Sequence, residues 1–219
     1  MQNAKSNDVT LNTDNLFLIN RMNSDELIEK DFSLNLGLDW LWKEKNLNQT
    51  KPSEASLSVG QVVKFNNDLD MPTKSSLQNK NSDLVTKATY LSPGNFDFIM
   101  KNTLDNNLNH AYYNDVTLKT FLKQGEVNFN FYEKNSHIGS ERYAKANLSS
   151  FITDSTKIKI DTDRNLKTDM TNSHKLSIEN ENECIRYGIY FQKNFASDKD
   201  LKPATSVFFG LTLLPFGDR

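Results

Sequence analysis

The chain has 219 residues, with 26 lysines and arginines against 28 aspartates and glutamates, for a formal net charge of −2. That balance, with a pI near 6.0, excludes a nucleic-acid partner bound by phosphate neutralisation. Only 37% of residues are hydrophobic and no run of about 18 apolar residues occurs, which excludes a helical membrane protein but not a membrane β-barrel, where one face of each strand meets lipid.

Residues 1–10 carry no apolar stretch of the kind a secretory signal needs. Across residues 14–30, Leu16, Ile19 and Leu27 show three-to-four spacing without a sustained stripe, so this part reads as a loop with one helical turn. Between Phe32 and Trp42 every even position is large and apolar (Phe32, Leu34, Leu36, Leu38, Trp40, Trp42), and most odd positions are small or polar. A period of two means an extended strand whose faces meet different environments. At about 3.3 Å per residue the stretch runs roughly 36 Å; tilted by about 45° it rises roughly 25 Å, the height of the apolar band of an outer-membrane barrel. Trp40 and Trp42 then stand where an aromatic girdle belongs. A long strand of a soluble sandwich carries the same pattern.

The alternation recurs in Ala55, Leu57, Val59, Val63 and Phe65, and in Phe96, Phe98, Met100 and Leu104. It continues in Val116, Leu118 and Leu122, then in Val127, Phe129 and Phe131. It returns in Ile185, Tyr187, Ile189, Phe191 and Phe195, and last in Val207, Phe209, Leu211 and Leu213. Weaker strands are expected at 84–91, 143–152, 158–162 and 176–178. Residues 66–82, 135–142, 163–174 and 196–205 are rich in Asn, Asp, Ser and Lys and read as loops. The expectation is an all-β, antiparallel meander of about ten or eleven strands in one domain, 1–219, as part of a transmembrane outer-membrane β-barrel on one reading and of a soluble sandwich on the other. The more apolar face of each strand is assigned to lipid and the polar face to the lumen.

Motifs that carry chemistry are sparse. His110, His137 and His174 lie far apart, without metal-ligand spacing to each other or to Cys184. No phosphate-binding glycine loop and no GxSxG or HExxH motif occurs. Acidic runs such as Asp161-Thr162-Asp163 read as solvated turns. The expectation is no enzyme, no cofactor and no metal site. Cys184, the sole cysteine, has no partner within the chain and by itself reads as a small hydrophobe.

Two stretches together resemble a family. The first is Asn7 to Arg21, with Asn15-Leu16-Phe17 and Asn20-Arg21 within it, followed by the strand from Asp31 to Trp42. The second is Glu183-Cys184-Ile185-Arg186 through Phe195, then Asp198-Lys199-Asp200-Leu201-Lys202-Pro203-Ala204-Thr205-Ser206 to Leu211. Both resemble the C-terminal region of the LPS-assembly outer-membrane protein family LptD, particularly as found in alphaproteobacteria. The resemblance covers residues from about 7 to 216.

The resemblance implies barrel strands of the machinery that inserts lipopolysaccharide into the outer leaflet. Its implied partners are lipopolysaccharide, a plug lipoprotein, and the N-terminal part of the same protein or a companion chain. The lipid would leave through a lateral seam, with Val207, Phe209, Leu211, Leu213 and Pro215 on one of its strands. Cys184 would be oxidised to a partner outside this sequence. The family's signal peptide and N-terminal jellyroll are not found, so a split or truncated product is expected. The alternatives are a soluble ligand-binding β-barrel or sandwich, and an autonomous small outer-membrane barrel.

Overall fold

The computed structural model describes residues 10–18, 21, 29, 32–45, 52–195 and 203–214. Eleven strands follow one another: β1 (Ser33–Glu44), β2 (Ser53–Lys64), β3 (Leu84–Ser92), β4 (Phe96–Leu104), β5 (Ala111–Leu122), β6 (Gly125–Lys134), β7 (Glu141–Phe151), β8 (Thr156–Asn165), β9 (Met170–Glu181), β10 (Ile185–Asn194) and β11 (Ala204–Leu213). Each hydrogen-bonds to its neighbours in chain order, so the meander is uninterrupted and β1 and β11 stand at its ends. The all-β antiparallel expectation holds. Besides the strands, only two short 3-10 turns, Thr73–Ser75 and Ser136–Ile138, occur among the described residues. No described helix is long and apolar enough to cross a membrane.

By compactness the chain divides into two units. The first holds β1 to β3, nearly all of β4, and the stretches of β5 and β6 that border them. Leu34, Leu38, Trp40 and Trp42 stand opposite Val63, Val59, Leu57 and Ala55 of β2. The other face of the same hairpin pairs Asp39 with Ser58 and Lys43 with Glu54, and the Lys43 ammonium donates to the Glu54 carboxylate at 2.9 Å. This polar face also carries the unit's buried core: Leu11, Leu16, Val62, Met71, Leu77 and Val85. The core comes from segments laid on the sheet rather than from a second sheet.

One of those segments is the 66–82 connection, which loops out and folds back. Lys64 N–H donates to the Lys80 carbonyl at 2.6 Å, and Ser82 N–H to the Val62 carbonyl at 2.9 Å. A connection of polar composition thus hides two apolar residues, Met71 and Leu77, over Val62.

The second unit contains β7 to β11 with the rest of β5 and β6. Here four successive registers align one apolar row, Leu148, Ile160, Leu176, Phe191 and Val207. A neighbouring row runs Ile158, Ile178, Ile189 and Phe209. On the opposite face the corresponding row is Asn147, Asp161, Lys175, Gln192 and Ser206.

Three of the loops expected from composition are shorter than their polar residues suggest. Of 163–174, only a tight turn remains between β8 and β9, where Asp169 takes a positive φ of 55°. The Asn165 side chain closes it by accepting from Lys167 and Thr168 N–H. In 135–142, Glu141 and Arg142 belong to β7, and in 196–205, Ala204 and Thr205 belong to β11. Strand pairing satisfies backbone groups whatever the side chains are. Much of 14–30, with Ile19 and Leu27, lies outside the described residues; the described part forms a turn at 13–17.

Candidate functional site

The feature that demands a function is the contrast between the faces. On β1 the fractional exposures of Leu34, Leu36, Leu38, Trp40 and Trp42 run from 39 to 62%. On β11, Val207, Phe209, Leu211 and Leu213 are 60 to 74% exposed. Soluble monomers rarely leave apolar patches beyond a few hundred Å² open to water, and here apolar rows run unbroken over four and five neighbouring strands. Such a face is satisfied by hydrocarbon. Phe32, just before β1, packs its ring against Phe65 at 5.7 Å.

The polar faces are hydrogen-bonded and charge-balanced within each unit. In the second unit Asn130 donates to Thr117 at 2.9 Å, Asn172 donates to Asp163 at 2.9 Å, and Asn147 donates to Asp161. Lys145 pairs with Asp163 at 3.3 Å, and Lys159 with Glu179 at 2.8 Å. Thr117, Asn128, Asn130, Lys145, Asn147, Asp161, Asp163 and Lys175 line an open cavity of about 540 Å³. Amides, hydroxyls and paired charges at this density can exchange their hydrogen bonds with a hydroxyl-rich, anionic ligand. Among the described residues no cluster of His, Cys, Asp or Glu is arranged to hold a metal.

In the first unit the polar face is partly covered by the chain itself. Asn12 and Asn15 fasten residues 10–18 reciprocally: Asn12 N–H donates to Asn15 Oδ1 at 2.8 Å, and Asn15 N–H donates to Asn12 Oδ1 at 2.9 Å. This exchange resembles a capping box, with amide oxygens in place of a hydroxyl and a carboxylate. It presents Leu16 and Phe17 to the hairpin, where Gly37 and Gly60 stand opposite one another. A methyl group on Gly60 would overlap the Leu16 side chain, and one on Gly37 would overlap the Phe17 ring. The Asn15-Leu16-Phe17 motif is therefore a plug with a seat cut for it in β1 and β2. Asp14 ties the plug to β3 and β4, taking Lys87 at 3.1 Å and Lys101 at 3.7 Å. The Lys87 hydrogen bond holds the Asp14 carboxyl below its ordinary range.

Beside the plug lies a buried charge cluster with little signature in the sequence. Glu29 meets Arg21 at 3.1 Å and Lys64 at 3.6 Å, and Lys64 meets Asp68 at 4.0 Å. Arg21 also donates to Ser33 Oγ at 3.2 Å. Two positive and two negative charges cancel, the condition under which burial of ions is tolerated. Burial lowers the Arg21 pKa, with Glu29 opposing the shift. Within the resemblance Arg21 was legible; Glu29, Lys64 and Asp68 carried no signal beyond their charge.

The other residues singled out from sequence are scattered. Cys184 sits half-buried in the turn between β9 and β10 as a free thiol. Its N–H donates to Asn182 Oδ1, and its carbonyl accepts from Leu214 N–H at 2.8 Å. Val207, Phe209, Leu211 and Leu213 share one face of β11, while Pro215 lies outside the described residues. The histidines stay apart: His137 contacts Asp83 at 2.9 Å, and His174 hydrogen-bonds to Thr162 at 2.9 Å.

Comparison with known proteins agrees with the two-faced sheet. The family model described as LptD: LPS transport system D matches residues 2–164. No curated protein matches the chain. The family is one of transport and assembly in the outer membrane rather than catalysis. With its N-terminal segment, seven complete strands and most of an eighth inside that match, the chain belongs to the LptD family of lipopolysaccharide transport proteins.

Proposed function

We propose that the chain is the C-terminal barrel segment of an alphaproteobacterial-type LptD protein, working as part of a larger barrel that delivers lipopolysaccharide to the outer leaflet. The observation that carries this reading is the pair of opposed rows across β7 to β11, one of exposed apolar residues and one of hydrogen-bonding and charged residues. Lipopolysaccharide has the same division: acyl chains suit the apolar face, and phosphate and sugar suit the polar one. Phe32, Leu34, Leu36, Leu38, Trp40 and Trp42 face lipid, and the polar face borders the lumen, where a plug lipoprotein sits.

Hydrocarbon does not tolerate unpaired strand edges. The edges of β1 and β11 are therefore completed by strands from the N-terminal part of the same protein or from a companion chain. In that barrel β11, with Val207, Phe209, Leu211 and Leu213, forms one side of the lateral seam, and the sequence continues from it to Pro215. Proline has no N–H to give to a strand ladder. Cys184, at the end of the sheet, forms a disulfide with a cysteine outside this sequence.

An immunoblot of the native organism's outer-membrane fraction, run with and without reductant, tests the reading. A band near 25.1 kDa that appears only on reduction supports a split barrel joined through Cys184. A much larger band in both lanes supports an intact transporter of which this is the tail. A band found only in the soluble fraction refutes the membrane assignment.

A further inference from the structure

The hairpin of β10 and β11 carries a facing glycine pair, Gly188 opposite Gly210. Neither offers a cross-strand side-chain contact, the usual unit of sheet stabilisation, and glycine within a strand weakens it. The space is filled by Tyr190, whose direct partner is Phe208. A Cβ built on Gly210 would stand 2.8 Å from Tyr190 Cε2, and all three of its nearest atoms belong to that side chain. One on Gly188 would stand 3.2 Å from the Tyr190 hydroxyl and 2.8 Å from the Ile178 carbonyl. The ring thus lies diagonally over the glycine backbone, an arrangement by which aromatic side chains compensate glycine in sheets. Gly188 is buried and Tyr190 half-buried, while Phe208 is 55% exposed.

We propose that Gly188 and Gly210 form a bending point in this hairpin and that Tyr190 is the latch that holds it straight. The proposal rests on the reading of β11 as a wall of the lateral seam. β11, like β1, is hydrogen-bonded to only one neighbour among the described strands, so it has more freedom to bend away than an interior strand. With the ring down, the backbone at Gly210 is braced and shielded from water. With the ring rotated away, glycine's broad conformational range allows β11 to kink. The vacated notch beside Phe208, on the polar face with Gln192 and Ser206, then accepts a sugar ring of lipopolysaccharide. That contact exists in only one of the two states, the condition for a ligand to shift the balance between them. Tyr190 is a positioning residue that acts through the β11 backbone.

The test is made in the native organism with the full chain at its own locus. A benzophenone amino acid replaces Thr212, the residue two beyond Gly210 on the same face. Ultraviolet adducts with lipopolysaccharide are then measured against the amount of protein in the outer membrane. Tyr190→Ala is expected to raise adduct formation several-fold at unchanged protein level, and Tyr190→Phe to leave it as in the unaltered chain. Gly210→Ala, which pushes the ring aside, raises it less, and the double variant Tyr190→Ala with Gly210→Ala equals Tyr190→Ala alone. Additive effects, or Phe behaving as Ala, overturn the latch. Adducts that form in the unaltered chain but do not respond to Tyr190→Ala overturn it as well, while leaving the seam reading intact. Absence of adducts in every variant refutes the seam reading and the latch with it. If Tyr190→Ala does not reach the membrane, Gly210→Ala against Tyr190→Phe decides.

Discussion

Hairpins β1–β2 and β10–β11 solve one problem in two ways. Each has facing glycines in mid-strand, Gly37 with Gly60 and Gly188 with Gly210. In β1–β2 the gap is filled by Leu16 and Phe17, about twenty to forty-five residues away in sequence. In β10–β11 it is filled by Tyr190 of the same hairpin. A filler brought from afar is held by its own turn, by ion pairs and by a buried core, whereas a filler from the same strand needs only a rotamer change to leave. The first arrangement makes a wall and the second a moving part.

The comparison can be broken most directly at Leu16, which is 1% exposed. Leu16→Ala should cost about 2–5 kcal/mol, the usual range for a buried leucine cavity. It is read as a lower urea midpoint of the membrane-embedded protein on semi-native gels; an unchanged midpoint would show that the plug carries no stability. On the apolar faces the hairpins should respond alike. Ile189→Arg and Leu38→Arg should each destabilise by about 2–4 kcal/mol if these positions lie near the bilayer midplane. A neutral effect at either would mean that the side chain meets water.

A sharper contrast comes from the glycines. Gly60→Ala meets the immobile Leu16 and the Leu36 carbonyl and should cost about 1–3 kcal/mol by overpacking. Gly210→Ala meets only a ring that can turn aside, so its urea midpoint should move less than that of Gly60→Ala. Equal shifts would erase the distinction between wall and moving part.

The smallest effect belongs to Asp14→Asn. The carboxylate is 60% exposed, so the loss should be about 0.2–1 kcal/mol, as for exposed ion pairs. Its pH dependence has a definite sign. Because the Lys87 hydrogen bond lowers the folded-state pKa, the contribution is fully present above the ordinary value of 3.8 and fades as pH falls through the lowered one. Asp14→Asn should therefore lose this increment at neutral pH and match the unaltered chain in acid, which flattens the acid limb of the stability curve.

Strands with strong contrast between faces were legible from sequence almost to the residue. The apolar run from Phe96 to Leu104 is β4, and that from Val207 to Leu213 lies within β11. β9 was seen only at Leu176–Ile178 because Thr171 to Lys175 are polar on both faces; pairing with β8 and β10 makes them a strand, and pairing leaves no periodic signature. Val62 shows the converse. It is apolar on the polar face, invisible to a two-period reading, and buried because Leu16, Met71 and Leu77 come to it. The plug motif was found by resemblance, but its purpose was not, since the seat is formed by two glycines 23 residues apart that only the register brings together.

That seat also verifies its own construction. A slip of one residue between β1 and β2 would turn every side chain to the wrong face. A slip of two keeps the faces but separates Gly37 from Gly60, so neither half of the gap is open to Leu16 and Phe17. The Asn12–Asn15 turn draws on residues only three apart and needs no sheet to form. Only a correctly paired hairpin therefore offers Leu16 and Phe17 their seat, so the docked turn stabilises the native register over a slipped one.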